Sequence, residues 1–378
     1  MKKILIIGCG FAGASCCAKL AQYNRQRRNL EITVIDSRKT LDFLPLLPDI
    51  IGRNLAPDFL DYDTPDFLEK IGCNFVNDEV TALDLEKQEV AAAAQKFNYD
   101  YLVISSGSET NFYGNDTLRQ CAYKLDSVTD AQRIKAVIGE GIFDVYLIGG
   151  AGYTGIEVAT NLRLCLDKLC KDPRVVIVER APSVLGPLPQ WMKDFVLENL
   201  KRMHIEVMTN TSVDKIQDNN IRLVTGESFN RAMLIWAAGV KTSGFIQKLN
   251  NKKNPQGRLE VDAYLRLDER SFAVGDAALV KHKSGALRMA VQFSIAQGEC
   301  AAGNIVRSID KRPLRKYQTR DLGYIIPMAN NRSCGRVMGV NLRGFPATIL
   351  HYLMCIYRSF GFKNKWGVMS DLIKGGGR

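Results

Sequence analysis

Apolar positions along the chain repeat one pattern twice and then change period. Ile4-Leu5-Ile6-Ile7 is a short unbroken apolar run, as expected of a parallel strand covered on both faces. Glycines follow at 8, 10 and 13, and the small-faced stretch with Ala12, Ala14 and Ala18 predicts a helix. Glu31-Ile32-Thr33-Val34-Ile35 predicts the next strand, closed by Asp36. The same order returns at Val145-Tyr146-Leu147-Ile148, with glycines at 150, 152 and 155 and a helix through Ile156–Leu162. Its following strand, Val175-Val176-Ile177-Val178, ends in Glu179. Near the end the period becomes helical. Phe345, Ile349, Tyr352, Leu353, Ile356 and Phe360 share one stripe, and Thr348, His351, Cys355, Arg358 and Ser359 mark the other side.

The two glycine runs point to nucleotide chemistry. In G-x-G-x-x-G spacing the first glycine permits the tight turn, the second lets backbone approach a pyrophosphate, and the third lets helix pack on strand. Free N–H groups and the positive dipole end at the helix start then hold the phosphates. An acid about 20 residues further on accepts from a ribose 2′-hydroxyl, the place taken by Asp36 and by Glu179. Two such units predict two dinucleotides held by two domains. A carboxylate at 179 repels a 2′-phosphate and favours NADH; Arg180 beside it keeps NADPH open.

The opening residues, MKKILIIGCGFAGASCCAKLA, also read as a signal to be cleaved: two lysines, an apolar run, then small residues before a cysteine. The third residue before Cys16 is Gly13, where a lipoprotein signal needs an aliphatic residue, and cleavage would destroy the whole strand-loop-helix-acid unit. The first strand therefore stays in the fold.

Composition is ordinary for a globular chain of 378 residues, which suits two or three domains. The ten cysteines lack metal-ligand spacing, so no metal is expected, and free thiols in a reducing compartment fit so long a chain better than a disulfide framework. The net charge of +11 is concentrated at the end. From residue 331 onward eight basic residues (Arg332, Arg336, Arg343, Arg358, Lys363, Lys365, Lys374, Arg378) face the single acid Asp371. An anionic surface is the expected partner. No run reaches the ~20 apolar residues that span a bilayer. No recognition module accompanies the charge, which argues against nucleic acid.

Near residue 270 the chain reads Ser271-Phe272-Ala273-Val274-Gly275-Asp276-Ala277-Ala278, and here it resembles the two-dinucleotide-binding flavoprotein superfamily, the pyridine nucleotide-disulfide oxidoreductases. Tyr99–Ser108 and Leu234–Gly239 resemble that superfamily's strand-to-crossover junctions, with Ser105-Ser106 in place of its usual Ala-Thr. The resemblance implies FAD on the first loop, with Asp276 on the flavin ribitol, and NADH on the second. The implied flavin contacts are Gly8, Gly10, Phe11, Ala12, Gly13, Asp36, Ser37, Ser106, Gly107, Gly275 and Asp276. Those for NADH are Gly150, Gly152, Tyr153, Thr154, Gly155, Glu179, Ala238 and Gly239.

Disulfide reductases of this superfamily need cysteine beside the flavin, where this chain has Asp42-Phe43-Leu44-Pro45-Leu46-Leu47-Pro48. That segment, Gly150–Glu157, Trp236–Val240 and the tail resemble the type II NADH dehydrogenases, single-chain NADH:quinone oxidoreductases. Of that family's Ala-Gln-x-x-x-Gln-x-Gly motif at the quinone pocket, Val291–Gly298 keeps Gln292 and the glycine, with Ala296 at the second glutamine and Gln297 next to it.

The fold class implied is α/β: two Rossmann-like dinucleotide-binding domains plus a C-terminal amphipathic helical segment for membrane association. The expected boundaries are 1–112 with 265–325 for FAD, 113–264 for NAD(P)H, and 326–378 for the tail. The expected reaction passes hydride from NADH to FAD and two electrons on to a membrane quinone without proton pumping. Glu157 orients nicotinamide or relays protons, and Gln292 and Gln297 face the acceptor. The tail's basic residues, at about 1 kcal/mol each near an anionic leaflet, would hold a peripheral enzyme to the cytoplasmic face of the membrane. A homodimer is expected, and the same tail could close it or form a lid. Three alternatives stand beside this reading: a reductase of a soluble rubredoxin-like protein, sulfide oxidation through Cys121 and Cys334, and an NADH-sensing flavoprotein of the apoptosis-inducing-factor type.

Overall fold

The computed structural model describes residues 1–27, 29–282 and 285–375; Arg378 of the basic tail lies outside them. The chain divides into two compact units. The first comprises residues 1–41, 62–109 and 240–321, and the second comprises 42–61, 110–239 and 322–378.

In the first unit Lys2–Ile7 is the central strand of a parallel five-stranded sheet. Leu30–Asp36 and then Asn74–Asn77 lie on one side; Tyr101–Ile104 and then Ser271–Ala273 lie on the other. Ile4 pairs with Ile32 and with Tyr101, so the register brings Ile7, Ile35 and Ile104 to one level at the carboxyl edge. The order of strand addition reverses at the first strand: the second and third strands lie on one side of it and the next on the other. Nucleotides bind at such a switch point, beyond the carboxyl ends of the strands. Ile4–Ile7 and Leu102–Ile104 are buried on both faces, which is why they read as unbroken apolar runs, whereas the edge strand Asn74–Asn77 is not. The helix Phe11–Arg27 packs against the long helix Val291–Ile309. Their approach is close because Gly298 lacks a side chain: a Cβ there would lie 2.2 Å from the Ala12 carbonyl oxygen.

The second unit repeats this plan. Val145–Gly149 is flanked by Arg174–Val178 and Ile205–Met208 on one side and by Ala232–Trp236 on the other, all parallel. Its glycine-loop helix is Tyr153–Lys168. A three-stranded antiparallel sheet (Gly323–Ile326, Cys334–Val337, Val340–Arg343) leads into the helices Phe345–Arg358 and Phe362–Gly375.

The sequence boundaries run the first domain unbroken to 112 and set the tail apart, whereas the compact units group residues 42–61 and the tail with the second sheet. The physical reason is the short helix Leu47–Gly52. It packs on Tyr153–Lys168, with Gly52 directly over Asn161, where a Cβ would meet the Asn161 carbonyl oxygen at 2.5 Å. The tail helices close over the same segment: Asn364 Nδ2 donates to Asp61 O at 3.2 Å and Ala56 N donates to Asp371 Oδ2 at 3.0 Å.

Candidate functional site

The two glycine loops are built alike. Gly8 and Gly150 start them at φ +92 and φ +102, backbone that a residue with a side chain rarely adopts. A Cβ on Gly13 would lie 2.0 Å from Gly8 O, and one on Gly155 would lie 1.9 Å from Gly150 O, so only glycine lets each helix start against its own turn. A Cβ on Gly10 or Gly152 would meet nothing within 4 Å, which leaves room for a phosphate at both positions. Gly152 caps its helix without any side-chain hydrogen bond, leaving the first amides to receive an anion.

Each acid is tied to its loop. The Cys9 amide donates to Asp36 Oδ2 at 2.7 Å, and the Ala151 amide donates to Glu179 Oε2 at 2.7 Å. The other oxygens accept from Arg38 N and Ala181 N. Both carboxylates are thereby fixed at the ends of their strands, beside the exposed Ser37 in the first case. The crossover junctions sit where expected. Gly8 faces Ser105 O and Ser106 Cα, with Gly107 next in line, while Gly150 faces Ala238 Cα, with Gly239 following. Ser105 justifies its departure from alanine: its Oγ donates to Ile7 O and Gly8 O and staples the strand to the turn. Phe11 and Ala12 are buried in the first loop; Tyr153 is half-buried with its ring edge-on to Tyr324, and Thr154 is exposed.

The Gly275-Asp276 segment returns to the first loop. Gly275 lies next to Ala12, and Asp276 Oδ2 accepts from Ser108 Oγ at 2.8 Å. Burial pushes the Asp276 carboxyl above its ordinary range, and Ser108 and Arg258 oppose that shift. A buried carboxylate with one protein donor has lone pairs left for a polyol, so these residues fit a flavin's ribitol.

The chain matches the pyridine nucleotide-disulphide oxidoreductase family over residues 2–298. It belongs to that family. The demethylphylloquinone reductase NdbB of Synechocystis is 27% identical over 380 residues, covering 94% of this chain and 92% of its own length. A type II NADH:quinone oxidoreductase of Staphylococcus aureus is 24% identical over 376 residues, covering 92% and 93%. NDH2 from Plasmodium falciparum, solved in complex with NADH, superposes with a TM-score of 0.87 at 18% identity, over 100% of this chain and 98% of that one, and shows the fold.

Within this pyridine nucleotide-disulphide oxidoreductase the two glutamines part company. Gln297 is buried, and its Oε1 accepts from the Gly275 amide at 2.7 Å. It positions the Gly-Asp segment rather than facing an acceptor. Gln292 is the more open of the two, with Nε2 at 3.3 Å from Asp321 Oδ1, an oxygen that also pairs with Arg288. The cysteines of the first loop, Cys9, Cys16 and Cys17, are buried and pack the helix. Cys334 is buried and its thiol is pushed up to about 12, which suits no thiolate chemistry.

Glu157 stands one turn into the second loop's helix, half-buried. Desolvation first, and the Asp49 carboxylate second, push its pKa well above the ordinary range. Asp49 is a group that sequence reasoning missed. It lies buried on Leu47–Gly52, with Arg53 Nε at 3.2 Å and the Tyr352 hydroxyl donating to Oδ1 at 2.7 Å. Arg53 Nη2 also donates to Ala329 O at 2.7 Å and Asn331 Oδ1 at 2.6 Å. The signal was present as an acid and a base four apart inside the apolar run Leu46–Arg53.

Proposed function

We propose that this protein is an NADH:quinone oxidoreductase with FAD in the first glycine loop and NADH in the second. The observation that carries the reading is the duplicated loop in one chain, each copy with its acid locked to the turn by a backbone amide at 2.7 Å. The full-length likeness to quinone-reducing relatives gives the acceptor its class. Bound flavin would supply the hydride-accepting and electron-passing chemistry. The chain's own residues bind and orient. Asp36 and Asp276 hold the flavin's ribose and ribitol, and Glu179 holds the ribose of NADH and repels a 2′-phosphate. Glu157, whose pKa burial and the Asp49 carboxylate raise well above the ordinary range, orients nicotinamide and relays a proton. Gln292 faces the acceptor, and Gln297 acts through Gly275.

Attachment to the cytoplasmic face of a membrane through the tail belongs to the same proposal. The helix Phe345–Arg358 turns its small residues inward: Ala347, Thr348 and Cys355 are buried, and so is Ser359 just beyond. Its apolar stripe faces out, with Phe345 at 59%, Ile349 at 43% and Leu353 at 57% exposure. Phe362, Trp366 and Ile373 of the next helix are exposed as well, among Lys363, Lys365 and Lys374. An outward apolar stripe rimmed by lysine and tryptophan suits the interface of an anionic bilayer. No helix among the described residues is long and apolar enough to cross a membrane.

The test is to reduce the purified protein with NADH under anaerobic conditions and offer a water-soluble quinone, rubredoxin and sulfide in separate runs. Steady-state reoxidation by quinone alone is expected; indifference to quinone defeats the proposal. Flotation with anionic vesicles, lost in a Phe345→Ser, Leu353→Ser variant, checks the attachment. Should the stripe close a homodimer instead, flotation fails and sedimentation returns the mass of two chains.

A further inference from the structure

Beyond the two loops, the second unit contains a buried cluster of ionisable side chains drawn from three helices. Asp49 and Arg53 come from Leu47–Gly52 and its cap, Glu157 from Tyr153–Lys168, and His351, Tyr352 and Cys355 from Phe345–Arg358. Asp49 and Glu157 are held near one another by backbone packing. Gly52 rests on Asn161, whose Nδ2 donates to Glu157 O at 3.0 Å, and Lys168 Nζ donates to Gly52 O at 3.1 Å. Asp49 has Arg53 and the Tyr352 hydroxyl as partners, whereas among the described residues no cation pairs with Glu157. Two carboxyl groups in one poorly hydrated site cannot both ionise cheaply, so the better-partnered one takes the charge and the other keeps the proton.

The reaction needs such a proton. Hydride leaves NADH as two electrons with one proton, and quinone becomes quinol by taking two electrons with two protons. One proton per turnover must therefore come from the medium. We propose that Asp49 and Glu157 share a single exchangeable proton, and that Tyr352, a half-buried residue whose hydroxyl donates to Asp49, connects this pair to the medium and replenishes it after each turnover. The O–H of Tyr352 passes its proton to Asp49 Oδ1 as it takes one from a hydronium ion of the medium, which is left as water, so no charge accumulates on the phenol. This inference rests on the quinone-reducing reading above.

The other groups facing the pair fit this role. Arg53 Cζ lies 5.1 Å from the Tyr352 ring centroid, and its Nε lies 3.2 Å from Asp49 Oδ1, so it offsets the charge on Asp49. His351, with Nε2 at 3.6 Å from Cys355 Sγ, is held neutral by burial and by Arg53. Cys355 is pushed far above the ordinary thiol range by burial and by both carboxylates, so it stays protonated. The packed elements also carry Arg358 on the tail helix, Arg163, Asp167 and Lys168 on the loop helix, and Asp130, Arg133, Lys135 and Glu140 on the neighbouring Val128–Glu140 helix.

The experiment uses the flavin-loaded full chain with Tyr352→Phe and Asp49→Asn. Tyr352→Phe retains the Asp49–Arg53 pair, so it stays informative if loss of a buried charge unfolds Asp49→Asn. Stopped-flow measurement separates reduction by NADH from reoxidation by a water-soluble quinone. Reoxidation should slow about tenfold or more, with a changed pH profile and solvent deuterium effect, while reduction by NADH stays within about twofold. Infrared titration of the resting protein supplies a readout independent of turnover. Wild type should show a carboxyl titrating at about 6, absent in Asp49→Asn and shifted upward in Tyr352→Phe, which loses the donor to the charged form. Unchanged reoxidation profiles, or a carboxyl band indifferent to both substitutions, overturn the inference. If wild type ignores quinone, the functional reading fails by itself, and the infrared titration still decides whether the proton is shared.

Discussion

The two glycine loops share their glycine positions and backbone geometry until the second turn of their helices. Cys9 and Ala151 each give an amide to the strand-ending acid, at the same distance of 2.7 Å. Gly13 and Gly155 each sit against the carbonyl of the loop's first glycine. Two positions later the first helix has Ser15 and the second has Glu157. Ser15 Oγ donates to Phe11 O at 2.7 Å, a purely local bond, whereas Glu157 enters a cluster built from three helices. What packs behind each helix differs in the same sense. The first is met by Gly298 of an apolar-faced helix, and the second by a segment that carries Asp49 and Arg53. One loop helix meets an apolar face, and the other is joined to a cluster of ionisable side chains. The difference lies in what the helix meets, not in how it grips phosphate.

The largest effects come from breaking the shared part. Gly13→Ala drives a Cβ into rigid backbone at 2.0 Å and should give a flavin-free, poorly soluble protein, since overpacking against backbone exceeds the usual ~1–3 kcal/mol. Gly155→Ala should keep its flavin and lose NADH affinity by about 100-fold, the equivalent of ~3 kcal/mol. Flavin content and the KM for NADH separate the two, and a Gly13→Ala protein that retains full flavin would sink the assignment of the first loop. Next comes the position where the loops diverge. Glu157→Gln should lower kcat for quinone about 100-fold, within the range of general acid–base catalysis. Ser15→Ala, which removes one back-bond within its own helix, should change stability by under ~0.5 kcal/mol and leave kcat alone. Equal responses at 15 and 157 would erase the distinction.

The shared part was legible because backbone sterics dictate it. A turn at positive φ, a phosphate approach and a helix packed on its own loop each demand glycine at a fixed spacing, and buried parallel strands demand unbroken apolar runs. The divergent part depends on contacts distant in sequence. Tyr352 and Asp49 meet across 303 positions, and a stripe pattern on the tail helix gives Tyr352 no reason to differ from Leu353. The same helix shows that amphipathicity yields two faces without saying which one meets protein. Small Ala347, Thr348 and Cys355 allow close packing inward, and the larger apolar residues are left outside. Gln297 was legible only as the neighbour of the motif position that Ala296 fills, and its bond to Gly275 depends on how the long helix sits over the Gly-Asp turn.

A smaller effect tests the acids at the strand ends. Asp36 and Glu179 hold their loops in the same way, so both contribute to geometry, but only the second faces a choice between NADH and NADPH. Glu179→Gln keeps one acceptor for a loop amide and removes the charge that opposes a 2′-phosphate. Screened repulsion near a surface is worth a few kcal/mol at most, so the preference for NADH over NADPH in kcat/KM should fall roughly tenfold. An unchanged ratio would move the discrimination to Arg180 or elsewhere on the loop.

The smallest effect separates the cluster behind the second loop into its members through pH. His351 is pulled from 6.5 to about 4 by burial and by Arg53, so between those values the unfolded chain binds more protons and the histidine removes stability as pH falls. Asp49 is pushed from 3.8 to about 6 by burial, against Arg53 and Tyr352, so across nearly the same window the folded chain binds more protons. Its contribution is present at low pH and lost as pH rises through 6. The two oppose each other in the wild type and are exposed by removing one at a time. The melting temperature of His351→Gln relative to wild type should climb as pH drops from 7 to 4.5, and that of Asp49→Asn should decline over the same range. Only the slopes matter, since each substitution also shifts the whole curve by its packing effect. Difference curves that run parallel to the pH axis would mean that neither group is desolvated, and the second loop would then be a holder like the first.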